Sequence, residues 1–212
     1  MILPTYYRGM SEKQIRTAIR GLKNEIGYLK NKIERERFEE SKMIICPSKA
    51  VQLICARENL ERAKEALEGL GCTYTPSKAE MKANEFQEQI PHISRISFET
   101  CGCFAGVRKY FLEIEKSDIK RISTEFGQIQ EESLIDKERT IGALEDLHMG
   151  EWRRHYYPER HGCIVYDGIQ WSVVIEYDNG HKAVKFEGSN DYPYNFSDFL
   201  SLFGLSDEMI EE

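Results

Sequence analysis

Apolar residues near the start of the chain recur at alternating spacings of three and four, which is the pattern of a helix with one buried stripe. The first stripe consists of Ile15, Ile19, Leu22, Ile26, Leu29 and Ile33. A second stripe follows Pro47 and consists of Leu53, Ala56, Leu60, Ala63, Leu67 and Leu70. Because a short connection joins the two, they predict an antiparallel helical hairpin in which large side chains of the first helix meet alanines of the second.

A two-helix hairpin has little core of its own, so we expect a further element to cover its seam. The candidates are a short helix predicted over 77–89, the adjoining C-terminal region, and a second copy of the chain, which would make a homo-oligomer through the hairpin. Pro91 ends the predicted short helix, and the pattern changes beyond it. We therefore predict a helical hairpin with a short third helix over 1–90 and a second domain over 91–212.

Beyond Pro91, β-branched and aromatic residues alternate with polar ones, which is the period of half-buried strands. Predicted strands begin at residue 93 and continue over 107–115, 119–126, 163–166, 169–177 and 182–187. Asp167-Gly168 and Asn179-Gly180 favour tight hairpin turns between them. Two predicted helices have apolar faces formed by Ile141, Leu144, His148 and Trp152, and by Phe196, Phe199, Leu200 and Phe203. The second domain is therefore predicted to be α+β, with a mainly antiparallel sheet in roughly βββα-βββα order and helices over one face.

Charge is distributed unevenly between the two predicted domains. The whole chain has a formal charge of −7, whereas the residues before Pro91 carry +3 and the remainder −10. The basic residues of the first predicted helix include Lys13, Arg16, Arg20, Lys23 and Lys30. They form a solvated helix face, a surface that docks against an acidic partner or the second domain, or a nucleic-acid contact. The negative charge of the whole molecule weighs against nucleic acid.

Motifs and composition exclude several common classes of protein. The chain has no apolar run of about 18 residues, and its apolar opening over residues 1–4 is too short for a secretory signal. The six cysteines therefore predict reduced thiols in a cytoplasmic protein. A Walker loop, a GxGxxG loop after a strand, HExxH, GxSxG and CxxC do not occur, so we expect no cofactor.

Two short motifs place cysteine and histidine close together, Cys101-Gly102-Cys103 and His161-Gly162-Cys163. If their strands adjoin, these two motifs supply four ligands suited to tetrahedral zinc. The same residues allow a catalytic pair, with Cys101 or Cys163 as nucleophile and His155 or His161 as base. Because the spacing is atypical of zinc sites, buried or half-buried reduced thiols are the alternative.

Aromatic and cationic residues cluster just after the predicted helix that contains Trp152. The cluster is Trp152, Arg153, Arg154, Tyr156 and Tyr157, and a later loop adds Asn190, Tyr192 and Tyr194. This composition is typical of a binding hot spot, so we predict that these eight residues form a recognition surface. Alternatively, Trp152 continues the apolar face of its helix, and the two arginines stabilise the helix C-terminus. The prediction requires exposed side chains and is wrong if they lie in the core.

Four acidic residues lie near the ends of the later predicted hairpins, namely Asp167, Glu176, Asp178 and Asp191. Grouped carboxylates can coordinate a cation. Aspartate also forms turns by bonding to its own backbone, which explains most of these positions without an ion.

Five segments of the chain carry a resemblance to known sequences. They are YRGMS over 7–11, YTPSKAE over 74–80, GEWRRHY over 150–156, DGIQW over 167–171 and GSNDYPYNF over 188–196. Together they resemble a family of hypothetical cytoplasmic proteins from Gram-positive gut bacteria, for which no activity is known. The resemblance covers most of the chain and implies a bacterial cytoplasmic protein, but it implies no catalytic residue.

The sequence favours a non-enzymatic interaction protein with a basic, coiled-coil-like hairpin and an acidic α+β recognition domain that binds a protein partner. One alternative is a metal protein or enzyme that uses the cysteine and histidine motifs. A second alternative is a nucleic-acid-associated protein that acts through the basic first helix.

Overall fold

The computed structural model describes residues 5–38, 46–102, 106–163, 165 and 168–210. The chain divides into two compact units, Met1–Pro76 and Ser77–Glu212. The sequence predicts this division at residue 90, because Pro91 ends a helix. The structure places that helix in the second unit, where the side-chain amide of Gln87 donates to the carbonyl of Glu145 at 3.0 Å.

The first unit is a helical hairpin of α1 (Glu12–Glu36) and α2 (Lys49–Gly69). Ser11 and Gln14 form the capping box expected at the start of α1, with the Ser11 amide 2.8 Å from the Gln14 side-chain oxygen. The buried residues follow both predicted stripes: Ile15, Ile19, Ile26 and Leu29 on α1, and Leu53, Ala56, Leu60, Ala63 and Leu67 on α2. Arg16 lies beside Thr73 at one end and Glu36 beside Lys49 at the other, so the helices are antiparallel as predicted.

The second unit is a seven-stranded sheet with helices. Its strands are β1 (Ile93–Gly102), β2 (Gly106–Ile114), β3 (Ile119–Glu125), β4 (Gln128–Ile135), β5 (His155–Tyr156), β6 (Gln170–Tyr177) and β7 (Val184–Ser189). Its helices are α3 (Lys78–Gln89), α4 (Lys137–Asp146) and α5 (Phe196–Leu202). The strand order is β4-β3-β2-β1-β6-β7-β5, and of the strand pairs in the described residues only β5–β7 is parallel. The predicted α+β class with a mainly antiparallel sheet is confirmed.

The order of elements differs from βββα-βββα at two places. A fourth strand, β4, precedes α4, and the two-residue turn Phe126-Gly127 joins it to β3. Both turn residues have left-handed backbones, with φ of 49° and 77°, as a tight hairpin requires. The strand predicted over 163–166 is wrong in its described part, since Cys163 and Val165 lie outside any strand. Instead, the two-residue strand β5 pairs with β7 at that edge.

The core lies on one face of the sheet. Ile96 and Phe98 of β1 are buried on this face, where the Phe98 ring meets that of Phe199 from α5 at 5.6 Å between centroids. Ser97 and Glu99 alternate with them on the opposite face and are half-buried. Among the described residues, no helix combines the length and the apolar character needed to cross a bilayer.

Candidate functional site

The predicted recognition surface divides between core and surface. Trp152, Tyr156 and Tyr192 are only 4%, 1% and 5% exposed, so they belong to the core and do not form the exposed recognition surface that was predicted. The reason is that α4 ends at Asp146, and the left-handed backbone of His148 turns the following chain inward. The Trp152 indole then donates to the Asn195 side-chain oxygen at 3.0 Å and packs edge-on against Phe186.

The other five predicted contact residues have different roles. Arg153 and Tyr157 are exposed, and Arg154 is half-buried. Asn190 holds a turn, since its backbone has φ of 52° and its side-chain oxygen accepts a hydrogen bond from the Ile169 amide at 2.8 Å. Tyr194 is partly buried and packs against the core. Of the eight residues, Trp152 and Arg154 line a groove of the second unit.

The cysteine and histidine motifs do not come together as predicted in the described residues. No three His, Cys, Asp or Glu side chains there are grouped as metal ligands would be, and Cys103 lies outside the described residues. Cys101 and Cys163 are half-buried free thiols. His161 instead faces Asp191, with its Nε2 atom 3.5 Å from Oδ1.

Two of the acidic residues considered as cation ligands, Asp178 and Asp191, have side-chain partners in the protein. Asp191 is fully buried, and both of its carboxylate oxygens bind the Arg160 guanidinium, with Nη2–Oδ1 at 3.1 Å. Asp178 lies 3.4 Å from His92, and Glu176 pairs in register with Arg95 on β1. Asp167 lies outside the described residues. The Asp191 carboxylate is thus occupied by the arginine that anchors its loop.

The basic residues of α1 are in part engaged within the first unit. Lys13, Arg16 and Arg20 are exposed, and Arg16 forms an ion pair with Glu12 at 2.7 Å. The Lys23 amine contacts the Tyr74 hydroxyl at 3.3 Å, and Lys30 is half-buried. The exposed cations of α1 therefore form a smaller patch than the sequence predicts.

A groove of about 500 Å³ lies between α3 and the start of β7, and we call it the α3–β7 groove. Its apolar lining is Phe86, Gly150, Trp152, Tyr177, Ala183, Val184 and Phe186. Its charged or titratable lining is Lys82, Glu85, Arg154, His181, Lys182 and Lys185. Cations thus outnumber the single carboxylate, although the second unit as a whole is acidic.

Glycine at position 150 brings α3 close enough to form one wall of the groove. A Cβ atom at this position would lie 2.8 Å from both the Cα of Ala83 and the Cβ of Phe86. Any larger residue would therefore push α3 outward. The helix itself begins with a capping box, in which the Ser77 amide donates to the Glu80 carboxylate at 2.8 Å.

Among the described residues, three groove cations lack a carboxylate partner, whereas the Lys185 amine pairs with the Glu187 carboxylate. In the described part of the chain, no carboxylate forms an ion pair with Lys82, Arg154 or Lys182. The Arg154 guanidinium lies 5.0 Å above the Phe186 ring and donates to the Lys185 carbonyl at 3.0 Å. The exposed Lys82 and Lys182 and the Arg154 guanidinium thus give the groove a basic rim above an aromatic floor, which is complementary to an anion.

Tyr177 places a polar atom inside this largely apolar lining. Its hydroxyl is buried and has no hydrogen-bond partner among the described residues. Burial raises the pKa of Tyr177 to about 12, against the opposing effect of nearby Arg154. A neutral hydroxyl is a donor, and leaving a buried donor unsatisfied costs about 1–3 kcal/mol. A ligand that offers an acceptor there would remove this cost.

Comparisons of the chain with family models, curated proteins and solved structures find no match. The lining residues of the groove include no Ser, Thr or Cys that would act as a nucleophile. They do include cations, a buried hydroxyl donor and aromatic rings, which are the elements of a binding site.

Most groove residues are absent from the predicted site. Lys82, Tyr177 and Lys182 come from α3, from the end of β6 and from the loop before β7, so no local pattern connects them. Gly150 is a weak signal, because glycine permits a close approach of the backbone to another group. Only the fold shows that these positions share one groove with Arg154.

Proposed function

We propose that this chain is a non-enzymatic interaction protein whose second unit binds an acidic partner in the α3–β7 groove. The observation that carries the proposal is the set of three cations without carboxylate partners above an aromatic floor that contains a buried, unsatisfied hydroxyl. Bacterial cytoplasm is the proposed location, in line with the family that the sequence resembles.

The charges favour a partner that combines carboxylates with an apolar side chain. Arg154 and Lys182 would bind carboxylates through charge-assisted hydrogen bonds, which are about twice as strong as neutral ones. Phe86, Trp152 and Phe186 offer the apolar contact that anchors a partner at the centre of a site. Because the rest of the unit is acidic, a long polyanion such as nucleic acid is repelled, while a short acidic segment is not.

The proposal is tested with three short peptides titrated into the intact chain by calorimetry. The first is acetyl-Asp-Glu-Phe-Glu-Val-Glu-Asp-amide, the second replaces its acidic residues by lysine, and the third replaces Phe and Val by glycine. We expect micromolar binding of the first, and at least about tenfold weaker binding of the other two. Equal binding of the acidic and the lysine peptide would contradict the proposal, as would no binding of any.

Variants of the protein identify the groove as the site. Arg154→Gln removes a groove cation and Tyr177→Phe removes the hydroxyl, and each is expected to weaken binding about five- to tenfold. Tyr177→Phe is the cleaner change, because the hydroxyl has no partner to lose among the described residues of the free protein. Lys116→Gln is the matched control, since Lys116 is exposed at the turn between β2 and β3, and it should leave binding unchanged.

A further inference from the structure

Strand β7 has an open backbone edge beside the α3–β7 groove. Its outer neighbour β5 pairs with it only at Glu187 and Gly188. In the described residues no strand lies beyond Val184–Phe186, although β6 pairs with the inner side of this segment. Ala183, Val184, Lys185 and Phe186 of this same segment line the groove. An unpaired strand edge and a basic, aromatic groove therefore lie together.

The hydrogen bonds around β7 show which backbone groups face this edge. The Glu187 amide donates to the Arg154 carbonyl at 3.0 Å, so the backbone N–H of Glu187 points away from β6. Successive residues of a strand direct their backbone N–H and C=O groups to opposite sides. The N–H and C=O of Lys185, two residues before Glu187, therefore also point away from β6. The Lys185 carbonyl confirms this direction, because it accepts from the Arg154 guanidinium at 3.0 Å. The Lys185 amide and carbonyl are thus directed toward the open edge.

We infer that the acidic partner of the groove is an extended peptide segment that adds as a strand to this edge of β7. This inference rests on the function proposed above and specifies how the acidic partner binds. The peptide backbone hydrogen-bonds with the amide and carbonyl of Lys185, and alternate side chains of the peptide reach the aromatic floor. Charge complementarity selects the acidic segment, because Lys82, Arg154 and Lys182 surround the edge.

Arg154 has a double role in this mode of binding. In the free protein its guanidinium occupies the Lys185 carbonyl, which is the acceptor that an added strand requires. When a peptide amide takes that place, the guanidinium is released and binds a peptide carboxylate instead. The exchange couples backbone pairing to recognition of acidic side chains, so a neutral extended peptide loses the second contact.

The acidic heptapeptide used above tests the mode when its backbone amides are methylated. One isomer carries N-methyl groups on alternate amides, and a second isomer carries them on the remaining amides. An added strand directs only one set toward β7, so we expect one isomer to bind at least about tenfold more weakly and the other to bind like the parent. Equal binding by both isomers, whether retained or lost, overturns strand addition.

A change in the protein gives an independent test. Lys185→Pro removes the amide that faces the edge without removing a bond to β6, and proline is tolerated at such edge positions. We expect it to weaken peptide binding at least about tenfold, against less than threefold for Lys185→Ala, which removes only the side chain. Equal effects of the two variants overturn the inference. If the proline variant does not fold, hydrogen exchange of the Lys185 amide is measured in the unaltered protein. Exchange must slow when the peptide binds, and an unchanged rate overturns the inference.

Failure of the inference is distinguishable from failure of the proposed function. If the parent peptide binds and both methylated isomers bind equally well, the groove recognises acidic groups without pairing to β7. If the parent peptide itself does not bind, both the proposed function and the proposed strand addition to β7 are wrong.

Discussion

The two faces of the sheet in the second unit carry alternate residues of the same strands but differ in what they touch. On β1, Ile96 and Phe98 are buried under helices, whereas Ser97 and Glu99 on the other face are half-buried, and Glu99 binds Lys109 at 2.7 Å. The buried face holds the unit together through apolar contact, and the open face presents paired charges.

The α3–β7 groove lies where the cover over the buried face is incomplete. Trp152 and Phe186 belong to the core cluster and yet line the groove, so the floor of the site is a part of the core that ligands can reach. The rim cations differ from those of the open face, since Lys109 has a carboxylate partner and Lys82 and Lys182 have none among the described residues. The proposed binding site therefore lies where the apolar core meets the charged surface of the unit.

The largest expected effect separates the two faces directly. Phe98→Ala removes a ring packed against Phe199 and Phe203, and it should lower the free energy of unfolding by about 3–5 kcal/mol. Glu99→Ala, one residue away on the open face, should change it by less than about 1 kcal/mol. Urea denaturation of both variants measures the difference. Similar losses would show that the open face is covered in solution.

A destabilisation of intermediate size is expected when the close contact between Gly150 and α3 is disturbed. Gly150→Ala places a methyl group against Ala83 and Phe86, and it should cost about 1–3 kcal/mol while weakening binding of the acidic peptide. Gly142→Ala in α4 is the matched control, because a Cβ there meets nothing within 4 Å. It should stabilise the protein by up to about 1 kcal/mol through better helix propensity. An unaffected Gly150 variant would mean that α3 does not pack as described.

The smallest effect concerns the hydroxyl at the groove floor and depends on pH. The pKa of Tyr177 is raised from 10.0 to about 12 by burial, so the unfolded chain ionises first. Below pH 10 the hydroxyl is neutral in both states and adds no pH dependence, whereas the free energy of unfolding falls as the pH rises from 10 toward 12, because only the unfolded chain ionises there. Stability of the wild type, measured relative to Tyr177→Phe, should fall across that range, and parallel curves would contradict the assigned burial.

The hairpin and the sheet domain differ in how far their structures follow from sequence. The hairpin is predictable because its apolar period is local, and the buried residues of α1 and α2 follow it. Strand β4 was not predicted, because Ile129 and Leu134 are exposed and a register shift interrupts its pairing with β3. A strand with little buried surface gives a weak periodic signal.

Two residues of the candidate site, Trp152 and Arg154, belong to the predicted recognition surface. Aromatic identity did not indicate exposure, since Trp152 and Tyr156 are equally suited to a core and to a binding surface. The remaining groove cations are ordinary exposed lysines in the sequence, and their arrangement comes from elements more than 90 residues apart. Long-range packing, which no local pattern contains, creates the site.

The contact between the Arg154 guanidinium and the Lys185 carbonyl also bears on solubility. A sheet edge with a free acceptor invites pairing with the same edge of another molecule, which leads to aggregation. The arginine blocks that acceptor with a bulky, hydrated cation, and the exposed Lys182 and Lys185 add like-charge repulsion between copies. At this edge, like charge thus opposes pairing with the same edge of another molecule.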